Sequence, residues 1–433
     1  MIGVILAGGK GTRLGHLAEG IPKPMVNCAG KPVLMYHLEL LKRYGIRRVI
    51  LLLGYKSEVI KKYLGDGSGV GLDIEYVEEQ EPLGTAGAVA NAASLINEPF
   101  VLIYGDVLAD LDLERLVNFH NKSGSLVTLA LHPNSHPVDS DLIEIDSQSR
   151  VVACHSKPHE GGRDYQNLVN AGVYVMSDKI IPFIPKGFND FGKNIFPLFL
   201  KNDINMSGYL TTEYIKDMGT PDRLASVEKD VLSGKVASRN LTVLQKAIFI
   251  DRDGVINKEV GVTKSAQQLE LLPRVEEAIK KINQSKYLAI VVTNQPGVAK
   301  GFCSMAEIQN MHNRLDTLLG KTGAFVDAYY FCPHHPEKGF PGENPDFKID
   351  CDCRKPKIGL IKQAVGKYNI DLSASFIIGD STVDLQTGLN AGLRSVLVKT
   401  GHAGGDNRFN AVPNYVSADL YDAVNFILNG LDK

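Results

Sequence analysis

Two carboxylates stand two residues apart in Asp251-Arg252-Asp253-Gly254, directly after the apolar run Ile248-Phe249-Ile250. At a strand end, residues i and i+2 point to the same side, so both acids face one cavity. Like charges at such range raise each other's pKa, and the arrangement is costly without a cation. Downstream come Thr293-Asn294 after an apolar run, Arg354-Lys355-Pro356, Gly379-Asp380 after Phe376-Ile377-Ile378, and Asp384 one helical turn later. A carboxylate nucleophile, a hydroxyl, a lysine and further acids are what phosphate transfer to a carboxylate requires.

Cys332-Pro333-His334-His335 is followed by Cys351-Asp352-Cys353. Three thiolates and one imidazole make a closed tetrahedral set, expected of structural rather than catalytic zinc. Spacing alone leaves His334 and His335 open as the fourth ligand. Cys28, Cys154 and Cys303 lack such company and read as buried small residues.

A third cluster opens the chain: Leu6-Ala7-Gly8-Gly9-Lys10-Gly11-Thr12-Arg13-Leu14. Its glycines let backbone N–H groups approach a triphosphate, with Lys10, Arg13 and the Lys of Pro22-Lys23-Pro24 adding positive charge. The small-residue loop Leu83-Gly84-Thr85-Ala86-Gly87 suits a flat base. Asp106, after Tyr104-Gly105, and Asp217, before Met218-Gly219-Thr220-Pro221, supply carboxylates.

These residues need elements to position them. Apolar runs at 4–7, 48–53, 74–77 and 101–104 read as strands, and helical spacing covers 32–44 and 56–64. The alternation predicts parallel sheets with crossover helices, an α/β architecture. Near 233–240 the pattern lapses into small and polar residues, and a second strand-plus-loop start follows at 247–254, so a domain boundary is expected near 234–246. The 433 residues suffice for two or three cores. With 47 Lys+Arg against 49 Asp+Glu, the net charge of −2 leaves no basic field for nucleic acid. Apolar runs are far shorter than the roughly 20 residues of a membrane span, and the N-terminus lacks the pattern of a signal peptide. Few, clustered cysteines point to a reducing, cytoplasmic setting.

The ordered set Gly9-Lys10-Gly11-Thr12-Arg13-Leu14, Pro22-Lys23-Pro24, Leu83-Gly84-Thr85, Gly105-Asp106, Asn170-Ala171-Gly172-Val173-Tyr174 and Asp217-Met218-Gly219-Thr220-Pro221 resembles the sugar-nucleotidyltransferase family over 1–232. The resemblance implies Mg²⁺ on Asp106 and Asp217, Lys23 and Arg13 as catalytic cations on the phosphates, and nucleotide or substrate contacts from Gly8, Gly9, Gly11, Thr12, Gly84, Thr85 and Asn170. Lys157 would meet the sugar 1-phosphate. Ser156 departs from the pattern, because relatives often have Glu before the Lys.

The second set resembles the haloacid dehalogenase (HAD) superfamily of phosphatases over 246–425. This implies Asp251 as nucleophile, Asp253 as general acid and base, and Lys355 as the balancing cation. Thr293, Asn294 and Arg354 would contact substrate. Mg²⁺ would lie on Asp251, the Asp253 backbone carbonyl and Asp380, with Asp384 behind them. The cysteine loop is similar to that of heptose bisphosphate and histidinol phosphatases. Its long His334-to-Cys351 interval is similar to the heptose enzymes, and His334 becomes the favoured zinc ligand beside Cys332, Cys351 and Cys353. Pro296 and Ser381 depart from the residues usual there.

The expectation is an α/β chain of two domains: a Rossmann-like nucleotidyltransferase over 1–234 and a Rossmann-like HAD phosphatase with a zinc loop over 246–433. Together they would take the 7-phosphate from a heptose 1,7-bisphosphate and transfer a nucleotidyl group, GMP from GTP being favoured by resemblance, to heptose 1-phosphate. The rivals are a mannose or other hexose 1-phosphate nucleotidyltransferase fused to a histidinol-type phosphatase, and a sugar-nucleotide-sensing first domain regulating the phosphatase. Partners are sugar phosphates and NTP, with no nucleic acid and no membrane; the sequence leaves oligomeric state open.

Overall fold

Ile248 and Ile250 pack on one side of their strand while Ala247 and Phe249 pack on the other. A strand buried on both faces must be apolar throughout, and it needs helices above and below. The computed structural model describes residues 1–430 and resolves two units. The first comprises Met1–His132, Ser140–His159 and Leu168–Asn240; the second comprises Pro133–Asp139, Glu160–Asn167 and the chain from Leu241 onward.

In the first unit a nine-stranded sheet runs, along its main path, Val151–His155, Leu142–Ile145, Val169–Met176, Phe100–Tyr104, Ile2–Ala7, Arg48–Leu53, Asp73–Glu78. Ile2–Ala7 lies parallel to both its neighbours, with Leu6 opposite Leu52 and Tyr104. Ile2 and Val4 face Val89, Phe196 and Phe199, whereas Ile5 and Ala7 face Leu34, Leu38 and Leu41 of the helix Val33–Arg43. The expected parallel pairing holds at the centre of this sheet and gives way to antiparallel pairing on one side. Val169–Met176 runs antiparallel to Phe100–Tyr104, and Leu142–Ile145 and Val151–His155 pair antiparallel. The short connection between Leu142–Ile145 and Val151–His155 closes a hairpin and cannot make a parallel crossover. A separate two-stranded ladder pairs Val107–Asp110 with Tyr214–Asp217, setting Asp217 opposite Val107.

The sheet of the second unit is wholly parallel, in the order Ala328–Cys332, Tyr287–Asn294, Lys246–Ile250, Phe376–Gly379, Arg394–Val398, Tyr415–Ser417. Residues of Val275–Gln284, Met305–Gly320 and Leu420–Asn429 fill the core on one face, and residues of Gly359–Tyr368 fill it on the other. Asp251, Thr293, Cys332 and Asp380 all sit at the carboxyl ends of adjacent strands, the end where open α/β sheets bind ligands. Among the described residues no helix is long and apolar enough to cross a membrane.

Candidate active sites

In the first unit the glycine loop is built for close approach. A side-chain carbon at Gly8 would lie 3.3 Å from the Gly54 nitrogen, and one at Gly105 would lie 2.4 Å from the Leu6 carbonyl oxygen. Gly11 has φ +69° and opens the short helix Thr12–Ala18, which no side chain caps. Lys23 donates its backbone N–H to the Gly9 carbonyl (3.1 Å) and its Nζ to Asp106 Oδ2 (2.6 Å). Met218 N–H donates to the Asp106 carbonyl (2.9 Å), which ties the segment carrying Asp217 to the backbone at Asp106. Asp217 accepts from Gly219 N–H (2.7 Å) and pairs with Arg223. The Arg13 guanidinium is beside them: a side-chain carbon at Gly219 would lie 2.8 Å from its Nη2 and 2.9 Å from Asp217 Oδ1. Three cations against two carboxylates leave a surplus of positive charge at the loop, which suits a polyphosphate.

Gly84 and Thr85 turn elsewhere. Gly84 (φ +71°) would bring a side-chain carbon to 2.5 Å from the Asn189 carbonyl, and the Thr85 hydroxyl donates to Asp190 (2.9 Å) while accepting from Phe191 N–H (2.9 Å). Both hold the helix Gly84–Asn91 against 189–191. Asn170 accepts the Tyr174 hydroxyl (2.7 Å), and Lys157 donates its N–H to Asp141 (3.2 Å).

In the second unit Lys355 is 5% exposed, with Nζ 3.0 Å from Asp251 and 2.5 Å from Asp384. Burial alone would favour the neutral amine, but the two carboxylates outweigh it and hold the ammonium above its ordinary range. Ligand oxygens of Asp251, Asp380 and Asp384 lie within 4.8 Å of one another. Burial, then the charge of Asp384, pushes Asp251 well above the carboxylate range, and burial pushes Asp380 up to about 6. Three acids to one ammonium leave an excess of negative charge, and the set is open to a divalent cation with oxygen preference. Gly254 (φ +79°) makes this possible, since a side-chain carbon there would sit 2.2 Å from Asp380 Oδ2. Asp380 therefore closes on the backbone immediately after Asp253.

The Asp253 carboxylate is outside that trio. It accepts from Arg252 Nη2 (2.9 Å), Gln295 Nε2 (2.6 Å) and Asn257 Nδ2 (2.8 Å). Burial would raise its pKa, but the fully buried Arg252 and these donors outweigh it and hold it below the ordinary range. Thr293 Oγ1 accepts from the same Gln295 amide (2.9 Å). Asn294 is spent on the backbone of Lys355, accepting its N–H (3.0 Å) and donating to its carbonyl (3.1 Å). Arg354 donates to the His334 carbonyl (3.1 Å).

Cys332, His334, Cys351 and Cys353 come together with Sγ–Sγ separations of 3.2 to 3.4 Å and His334 Nδ1 3.3 Å from Cys353 Sγ. A tetrahedral ion with sulfur ligands at about 2.3 Å has ligand–ligand edges of about 3.8 Å, so the four donors fit a metal after a small expansion. His335 is outside the set; its backbone N–H donates to the Phe347 carbonyl and its ring lies 3.9 Å from Glu337. Of the remaining cysteines, Cys28 is buried and Cys154 and Cys303 are half-buried.

Comparison with known proteins accounts for both arrangements. Residues 2–234 match the nucleotidyl transferase family, more than half of the chain, and 352–423 match the HAD-hydrolase-like family. The chain belongs to the nucleotidyl transferases, with a HAD-like hydrolase as its second half. This nucleotidyl transferase is 39% identical over 234 residues to the mannose-1-phosphate guanylyltransferase of Mycobacterium tuberculosis, covering 53% of this chain and 64% of that one. It is also 39% identical over 160 residues to the D-glycero-beta-D-manno-heptose-1,7-bisphosphate 7-phosphatase of Pasteurella multocida, 36% of this chain and 84% of that one. The solved structure of HddC from Yersinia pseudotuberculosis with GMP-PN is similar at 32% identity and a TM-score of 0.46, covering 53% of this chain and all of that one.

In this nucleotidyl transferase the sequence reading did not reach Arg223, Gln295 or Arg252. Arg223 sits six residues beyond Asp217, one turn into the helix Pro221–Leu232, and its charge was the available signal. Gln295 directly follows Thr293-Asn294, and Arg252 lies between two acids. A basic residue inside such a pair is itself a signal, because a fully buried guanidinium must be paired.

Proposed function

We propose that the chain is a bifunctional enzyme making an NDP-heptose. The second domain removes the 7-phosphate of D-glycero-D-manno-heptose 1,7-bisphosphate, and the first transfers GMP from GTP to the resulting heptose 1-phosphate. The observation that carries this is the Asp251–Lys355–Asp384 cluster with Asp380 closing on it, on a chain whose other half is a nucleotidyl transferase. Asp251 attacks phosphorus and forms an aspartyl phosphate as the P–O7 bond breaks. Asp253 takes up a proton as the substrate draws it from Arg252, Gln295 and Asn257, gives that proton to the leaving alkoxide, then takes one from the water that attacks the aspartyl phosphate, which releases phosphate and frees Asp251. Lys355 balances the charge of nucleophile and phosphate, and Thr293 and Arg354 contact the substrate; Asn294 fixes the Lys355 backbone. Asp251, the Asp253 carbonyl and Asp380 would hold Mg²⁺, which supplies charge neutralisation at the phosphoryl oxygens.

In the first domain an oxygen of the sugar 1-phosphate attacks the α-phosphorus of GTP and pyrophosphate leaves. The backbone of Gly8, Gly9, Gly11 and Thr12 cradles the triphosphate, Lys23 and Arg13 neutralise it, and Lys157 and Asn170 meet the sugar phosphate. Asp106 and Asp217 would hold the second Mg²⁺, freeing Lys23 and Arg223 for the nucleotide. Little covalent work falls to these groups, since alignment and charge neutralisation carry such displacements. The Cys332–His334–Cys351–Cys353 set would hold a structural zinc. Three clustered metal-ligand cysteines and three solitary ones suit a reducing compartment, and we place the enzyme in the cytoplasm. A second reading, favoured by the mycobacterial relative's name, has mannose 1-phosphate as the acceptor.

The test is the full-length protein with heptose 1,7-bisphosphate and each NTP in turn, phosphate and pyrophosphate being measured separately. Both products are expected with GTP. Asp251→Asn stops phosphate release, while pyrophosphate still forms from supplied heptose 1-phosphate. Phosphate release by that variant would refute the nucleophile, and faster turnover of mannose 1-phosphate would move the acceptor to the second reading.

A further inference from the structure

Asp141 immediately precedes the strand Leu142–Ile145 and is fixed from two sides. Its carbonyl accepts Asn170 N–H (3.0 Å), and its Oδ1 accepts Lys157 N–H (3.2 Å). Its Oδ2 takes no hydrogen bond among the described residues. The same is true of Asn170 Nδ2, because that side chain is oriented by the Tyr174 hydroxyl on its Oδ1 (2.7 Å). Both atoms converge over the bare Cα of Gly192. A side-chain carbon there would lie 3.0 Å from Asp141 Oδ2 and 3.7 Å from Asn170 Nδ2. Asp190 closes the third side at 3.5 Å, but its oxygens are engaged by Lys193 N–H (3.1 Å) and the Thr85 hydroxyl (2.9 Å).

The absence of a side chain at Gly192 thus leaves one open acceptor and one open donor within 4 Å of a single point. A phosphate is excluded from that point by the carboxylates, and an amide N–H beside the open oxygen does not suit a cation. A hydroxyl donates and accepts at once and satisfies both. Ser156, directly before Lys157, is exposed and takes no part.

We infer that Asp141 accepts a hydrogen bond from a ring hydroxyl of the sugar 1-phosphate, with Asn170 donating to the same hydroxyl, and so sets sugar specificity in the nucleotidyl transfer. This rests on the transferase reading above. It moves the carboxylate that reads the sugar from the position before Lys157 to a different strand.

The experiment measures pyrophosphate release by the full-length protein at saturating GTP with varied heptose 1-phosphate and mannose 1-phosphate. Asp141→Ala is expected to raise the KM for sugar 1-phosphate about ten- to a hundredfold, the range for one hydrogen bond to a charged group. The KM for GTP and phosphate release from the bisphosphate should stay within about twofold. Asp141→Asn keeps an oxygen for Lys157 N–H while turning an NH₂ toward Gly192, and should show the same rise, so a folding defect in the alanine variant would not obscure the result. Among monodeoxy sugar 1-phosphates, one should lose affinity on the unmodified enzyme and lose nothing further on Asp141→Ala. Ser156→Ala should match the unmodified enzyme. An unchanged sugar KM in both Asp141 variants, or a loss falling equally on GTP, overturns the inference while leaving the transferase reading intact. No pyrophosphate from the unmodified enzyme with any NTP and sugar 1-phosphate overturns both.

Discussion

Replacing Lys355 by Met removes the only positive charge bonded to Asp251 and Asp384 among the described residues, at 3.0 and 2.5 Å from Nζ. At an effective dielectric of about 20, each contact is worth about 5 to 7 kcal/mol of attraction, most of which is offset by the desolvation of the buried ions. What the variant loses is larger than the net value of the pairs, because two buried carboxylates remain without a counter-charge, held among the described residues only by Arg252 N–H on Asp251 and by Ser381 on Asp384. We expect a destabilisation of about 3 to 5 kcal/mol at neutral pH. Urea unfolding of the full-length protein without added metal measures it. The deficit should narrow as pH falls through about 6, where Asp380 takes up a proton, and adding Mg²⁺ at pH 7 should narrow it as well. Phosphate release should fall to background in the same variant, while pyrophosphate formation from heptose 1-phosphate continues. A Lys355→Met protein as stable as the parent at pH 7, or still releasing phosphate, would refute the charge accounting and the role together.

Three further outcomes are expected. Asn294→Ala loses both bonds to the Lys355 backbone, and should cost about 1 to 3 kcal/mol of stability and lower phosphatase kcat about tenfold or more with a smaller change in KM; an equal effect on KM alone would return Asn294 to substrate contact. Metal analysis should find one tightly held zinc per chain, which Cys353→Ser or a strong chelator removes along with phosphatase activity; full phosphate release by zinc-free protein would deny the loop its role. Asp316 is buried and accepts Asn167 N–H (3.0 Å) and the Tyr329 hydroxyl (2.7 Å), and burial pushes its carboxyl up to about 7 from 3.8. A raised acid keeps its proton longer in the folded state, so its stabilising contribution is complete below pH 3.8 and is lost as pH rises through 7, by up to about 4 kcal/mol. Asp316→Asn should flatten the fall in thermal midpoint between pH 5 and 8, and parallel curves for the two proteins would contradict the assignment.

What the sequence revealed depended on the kind of force involved. The strands Arg48–Leu53 and Phe100–Tyr104 were legible because burial on both faces demands continuous apolar runs. Asp251, Asp380 and Asp384 were legible because parallel strands deliver their following residues to one edge, and the cysteine set because so few residue types bind a soft metal. The hairpin Leu142–Ile145 and Val151–His155 was not, since burial confined to the first residues of each strand leaves no continuous apolar run. Rotamer choices were also hidden. Thr85 spends its hydroxyl on Asp190 and Asn294 spends its amide on Lys355, although either residue type would serve as well against a phosphate. The arrangement of Asp253 under Arg252 depends on which way a buried guanidinium folds back, and composition does not encode that.

Cys353 and Lys355 are separated by a single residue, Arg354, whose guanidinium is tied to the carbonyl of the ligand His334. So short a tether transmits displacement almost undiminished, so that disulfide formation among the three thiols, by drawing two sulfurs to bonding distance, would drag the ammonium off its carboxylates. Oxidants would thereby silence hydrolysis in one half of the polypeptide while the other half, whose half-buried and buried cysteines are solitary, went on consuming any sugar 1-phosphate it was given.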